Sequence, residues 1–268
     1  MDLYNETGAL DDFFSIWRLS LRIAKMLGAP GIVVDSEAYN NYRINTLDIL
    51  ARETQKPIPV VQERLREIGR ILADLTREIY PEAVVWFLFT GLGEPDYHKL
   101  GSGQSVYRSL TYLVLGFLER TGEKPGAIKV ISGGEISLGY CHPSAEAMGR
   151  KIAARQAAFR EILQRYPNLH LAGTLAPWHD AALKKPGHYF SQGDCDNSLK
   201  NLDDFQPLLR LLFSSYRLNW LYAAWGAGYH PWDDKTAPLY RRAIQEAQKN
   251  TPSRAASAVS GRAVGGEK

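Results

Sequence analysis

Short apolar runs alternate with longer amphipathic ones along this chain, and that alternation leaves few folds open to it. Residues 31–35, 83–89, 127–131, 169–175 and 219–224 read as strands. The second of these, Ala83 to Phe89, is almost continuously apolar, which suits a parallel strand covered on both faces. Between the strands, apolar residues recur at helical spacing. Residues 11–27 place Phe13, Phe14, Ile16, Trp17, Leu19, Leu21, Ile23 and Ala24 in such a pattern, with Gly28 as a natural stop. Residues 43–55 read as helical. Residues 59–79 carry Val61, Leu65, Ile68, Leu72, Leu75 and Ile79 on one face, and Pro57 and Pro59 mark the start. Helices are also expected over 106–118, over 144–165 with Ile152, Ala153, Phe159, Ile162 and Leu163 inward, and over 237–247. Asp203 with Gln206 three residues on looks like a capping box for a helix reaching Phe213.

Strand followed by helix, repeated, predicts parallel βαβ units. The fold class expected is α/β, a TIM-type (β/α)8 barrel of which five βα units are visible. Such a barrel needs eight strands, so three would lie upstream and this chain would be the C-terminal part of a longer one. A self-contained, doubly wound five-stranded sheet is the alternative. Residues 1–250 read as a single barrel-like domain, about the usual size for one. The stretch 251–268 is rich in Ser, Ala and Gly without apolar period and is expected to be a disordered tail.

The net charge of +3 is spread along the chain without a basic stripe, so no nucleic-acid partner is expected. No apolar run approaches the roughly 18 residues of a membrane span, and the first residues lack the pattern of a signal peptide. No membrane partner is expected. Cys141 and Cys195 are too few for a disulfide framework or a zinc cluster, and each reads as a buried thiol. His142, His179 and His230 match no compact metal motif, so no metal is expected. No glycine-rich phosphate loop follows any strand, so no nucleotide cofactor is expected.

Ligands of parallel α/β folds bind beyond the carboxyl ends of the strands. Polar groups and aromatics collect there in this sequence. The first strand ends on Asp35, Glu37 and Tyr39, and the second on Glu94, Asp96 and Tyr97. Glu135 follows the third strand, with Tyr140 and His142 beyond it. Trp178, His179 and Asp180 follow the fourth, and Trp225, Tyr229, His230 and Trp232 the fifth. Strand alternation puts Val33, Asp35 and Glu37 on one face, the two acids about 7 Å apart at the backbone. In such a pair one ionised carboxyl favours protonation of the other, which suits a general acid at neutral pH. Aromatics around the mouth offer flat apolar faces suited to sugar rings, and glycosidic cleavage typically needs two carboxyl groups. The structural alternatives are a helix cap for Asp35, a solvated loop for Glu94 and Asp96, a simple turn at Gly133-Gly134 before Glu135, and packing roles for the tryptophans.

Asp35-Ser36-Glu37-Ala38-Tyr39 after an apolar strand resembles the Asp-x-Glu strand end of barrel glycoside hydrolases, both chitinase-like and muramidase-type. The resemblance implies a barrel whose fourth strand is residues 31–37 and whose eighth carries Trp225. It implies Glu37 as the acid protonating the leaving oxygen, Asp35 as its orienting partner or charge stabiliser, and Glu135 as a second carboxylate. Tyr39, Glu94, Tyr97, Tyr140, Trp178, His179, Trp225 and Tyr229 would then bind a carbohydrate ligand. The chain departs from the chitinase pattern, because Ala29 to Val34 holds none of the further acids of that motif. It therefore resembles an uncharacterised glycoside-hydrolase-like barrel. A carbohydrate-binding barrel without chemistry would have nearly the same sequence. Residues 33–37 also resemble part of the first motif of haloacid-dehalogenase-like phosphatases, but no acid stands upstream where those enzymes need one.

Overall fold

The computed structural model describes residues 4, 8–35, 46–93, 99–100, 104–105, 108–123, 128–139, 142, 144–175, 202–221 and 237–249. In chain order the elements are α1 (Ala9–Met26), β1 (Gly31–Val34), α2 (Leu47–Thr54), α3 (Ile58–Ile79), β2 (Val84–Phe87), β3 (Lys99–Leu100), β4 (Gln104–Ser105) and α4 (Arg108–Gly122). Then come β5 (Lys129–Ser132), α5 (Glu135–Leu138), α6 (Ala145–Ala158), α7 (Arg160–Arg165), β6 (Leu169–Leu175), α8 (Leu202–Ser215), β7 (Leu218–Leu221) and α9 (Ala237–Lys249). The chain divides into two compact units: Met1–Tyr140 with Gly149–Thr174, and Cys141–Met148 with Leu175–Lys268. The class is α/β, as the alternation predicts.

In the first unit β1, β2, β5 and β6 lie side by side in that order, all parallel. Partners across the sheet share a face, so Ile32, Val85, Val130 and Leu169 form one row and Val34, Phe87, Ser132 and Leu171 another. Of these, every apolar side chain belongs to or packs on one core with Trp17, Leu21, Leu65, Ile68, Leu72, Val114, Phe117 and Phe159 from the helices. The alternate row, Val33, Trp86, Ile131 and His170, stays outside that core. Val33 and His170 are exposed, and so is Lys129 beside them. This cluster therefore lies on one face of the sheet, while Ile131, Ala172 and Thr174 are buried on the other.

An aromatic trio joins α1, β2 and α4. The Trp17 ring lies 6.5 Å from that of Phe87 and 6.1 Å from that of Phe117, and Phe87 meets Phe117 edge-on at 5.8 Å. The buried indole N–H of Trp17 donates to the Thr76 hydroxyl at 3.0 Å, and that hydroxyl donates to the Leu72 carbonyl at 2.7 Å. Thr76→Val would leave the indole N–H unpaired in the core. Urea unfolding is expected to show a loss of about 1–3 kcal/mol, with Thr76→Ser close to wild type.

Helices α3 and α4 touch backbone to backbone. A β-carbon on Gly69 would lie 2.0 Å from the Leu113 carbonyl oxygen, and one on Gly116 would lie 2.0 Å from that of Arg66. Flanking ion pairs join the helices on their solvent side, Glu119 with Arg66 at 3.4 Å and Asp74 with Arg120 at 2.9 Å. Arg70 also meets Glu119, and its guanidinium is held above the ordinary arginine range, first by its hydrogen bond with Glu63.

Several expectations are corrected. Ile16, Leu19 and Ile23, counted in the apolar pattern of α1, are exposed, because that helix is apolar on two sides and only one is buried. The helix expected over 144–165 is two helices, α6 and α7, meeting at Phe159. Ser144 caps α6 by accepting from the Ala147 N–H at 3.1 Å. Ala153 is exposed, and Arg155 takes the inward position between Ile152 and Phe159. In the second unit α8 already includes Asp203, and Gln206 donates to the Ala243 carbonyl of α9 at 3.0 Å, so the two do not form the expected capping box. Leu208, Leu209 and Leu212 are buried on α8, as are Ala243 and Ala247 on α9. Cys141, Cys195 and the stretch 251–268 lie outside the described residues.

Candidate active site

Because the four strands of the first unit are parallel, their carboxyl ends share one edge. The ladder continues one step past the strands, with Leu88 N–H donating to the Val34 carbonyl at 3.1 Å and Gly133 N–H to the Phe87 carbonyl at 2.7 Å. Asp35 stands directly after β1 and is exposed. Beyond β2, Thr90 is buried, its hydroxyl 3.0 Å from that of Ser132 at the end of β5. Thr174, next to last in β6, is also buried.

After Ser132 the chain turns through Gly133 and Gly134 into the single turn α5. Both glycines are dictated by what lies against them. A β-carbon on Gly133 would sit 2.9 Å from both the Leu88 Cα and the Trp86 Nε1. Gly134 has a left-handed φ of 79°, and a β-carbon there would meet the Arg155 guanidinium at 2.7 Å. The turn closes with Leu138 N–H on the Gly134 carbonyl at 2.8 Å and Gly139 N–H on the Glu135 carbonyl at 3.1 Å. It delivers Glu135 to the sheet edge with 8% of its surface exposed. A carboxyl group so shielded is ordinarily paired.

Arg155 braces this turn from α6. Its guanidinium donates to the Ala172 carbonyl at 2.6 Å, to the Ser132 carbonyl at 3.0 Å and to the Ser132 hydroxyl at 3.3 Å. It also lies 5.4 Å above the Phe159 ring. One buried cation thus links the carboxyl end of β5 to the middle of β6 beneath Gly134. Apolar periodicity passes over Arg155. Its spacing was nevertheless informative, three residues after Ile152 and four before Phe159, the interval of one helix face.

Three buried polar atoms, the Trp86 Nε1, the Thr174 hydroxyl and the Ser137 hydroxyl, have no hydrogen-bond partner among the described residues. Water or a ligand is the ordinary way such groups are satisfied. Of the anticipated site residues, Asp35 and Glu135 are described. Glu37, Tyr39, Glu94, Tyr97, Tyr140, Trp178, His179, Trp225 and Tyr229 lie outside the described residues. His142 is buried in the second unit. No group of three His, Cys, Asp or Glu able to hold a metal occurs among the described residues, and no described helix is long and apolar enough to cross a membrane.

An exposed carboxyl group after β1 and a shielded one after β5 thus stand on one sheet edge, two strands apart. No family model, curated protein or solved structure matches the chain.

Proposed function

We propose that this chain is a (β/α)8-barrel-type glycoside hydrolase, cleaving a glycosidic bond by carboxylate acid–base chemistry at the carboxyl rim of its sheet. The observation that carries the reading is the buried Glu135 at the end of β5, on the same sheet edge as Asp35. Two inter-strand spacings separate their strands, about 10 Å at the backbone. Side chains inclined toward each other across that gap would reach the separation at which two carboxyls act on opposite sides of a sugar ring. The parallel order of β1, β2, β5 and β6 supports a sheet built from successive βα units, as a barrel requires. In this reading Glu37 protonates the leaving oxygen, Asp35 orients it or holds a charged intermediate, and Glu135 is the second carboxylate.

A panel of chromogenic glycosides tests it. Wild type is expected to turn over at least one of them, and Glu37→Gln to lose about 100-fold or more in kcat on that substrate. Full activity of Glu37→Gln would remove Glu37 from the chemistry. Binding on a glycan array without turnover by wild type would make the chain a carbohydrate-binding barrel.

A further inference from the structure

We infer that the outer face of α1 is a self-association surface, on which a second copy of this chain packs its own α1 antiparallel, about a two-fold axis near Leu19. The helix buries Leu10, Trp17, Leu21 and Ala24 in its own core. On the other side Asp12, Ile16, Leu19, Ile23 and Met26 follow one another at intervals of four, three, four and three residues. That is the seam of a two-helix coiled coil, which repeats every 3.5 residues. A helix face turned to water is ordinarily polar. Here the seam residues Ile16, Leu19, Ile23 and Met26 are 62%, 57%, 42% and 77% exposed, with Leu27 beside them at 72%.

Charge selects the occupant. The acids of α1, Asp11 and Asp12, lie in its first turn, whereas Arg18, Arg22 and Lys25 occupy its second half. A parallel pairing of two such helices sets acid against acid and base against base. An antiparallel pairing crossing at Leu19 puts Asp12 of each copy level with Met26 of the other, one helical turn from its Arg22. Two-fold symmetry makes that contact twice, as a self-complementary patch requires. The paired Ile16, Leu19, Ile23 and Met26 side chains then interleave along the seam.

Sedimentation velocity of the full chain over a concentration series reads the association directly. Wild type is expected to form a dimer. Leu19→Asp, at an exposed position that leaves the fold intact by circular dichroism, is expected to weaken it by about 30-fold or more. Asp12→Arg and Arg22→Glu are each expected to weaken the dimer, and the double variant to restore it, because the two charges lie one helical turn apart across the interface. A chain that stays monomeric throughout, or a dimer unaffected by Leu19→Asp, would overturn the assignment. Failure of the double variant to rescue would overturn the antiparallel geometry.

Discussion

Gly69→Ala and Gly116→Ala are each expected to destabilise the protein by about 3–5 kcal/mol, beyond the usual cost of overpacking, because the obstructing atoms are backbone. At 2.0 Å from the Leu113 and Arg66 carbonyl oxygens, an added methyl group has no flexible side chain to displace. The helices α3 and α4 must separate instead, loosening Leu65, Ile68, Leu72, Leu113 and Phe117 together. The gain in helix propensity from Gly to Ala, about 1 kcal/mol, is too small to compensate. Chemical denaturation of both single variants and the double one checks this. The double variant should cost much less than the sum, since one methyl group already parts the helices and the second enters space opened by the first. Strict additivity would mean that the two glycines do not act on one contact.

Those glycines show where sequence reasoning stops. The stripe from Val61 to Leu75 on α3 was legible because five apolar residues at helical spacing leave one face to bury. The need for glycine at 69 was not, since it depends on Leu113 of α4, 44 residues away. On α1 the pattern was ambiguous for a different reason. Apolar residues on two sides satisfy helical spacing whichever side is buried, and Trp17 with Leu21 won over Ile16 with Leu19 by meeting Phe87 and Phe117. In β1, alternation did predict that Val33 and Asp35 share a face opposite Ile32 and Val34. Both are exposed. The strand-end position of Glu135 was likewise legible from the turn residues before it. Its burial was not, because that depends on contacts made only in the folded chain.

Arg155→Met is the second large effect. It removes the donors that satisfy the Ala172 and Ser132 carbonyls and leaves both acceptors in a buried site, at a cost of about 1–3 kcal/mol each. Methionine fills much of the volume, so the loss reports hydrogen bonding more than a cavity. Arg155→Lys is expected to recover little, because one ammonium group cannot reproduce the planar fork that spans two strands. Denaturation midpoints of the two variants measure this. If Arg155→Met unfolds at the wild-type midpoint, the guanidinium is not the brace described.

Exposure also divides positions within the strands by how freely they can change over time. Ile32, Val34, Val85, Phe87, Val130 and Leu169 each meet helical neighbours in the core, and a substitution at any of them is tested by folding itself. Val33, Lys129 and His170, alternating with them, are exposed, and substitutions there escape that test. Related chains should therefore diverge at two rates along a single strand, residue by residue. Slow change at one of the exposed positions would be the mark of selection by something other than stability.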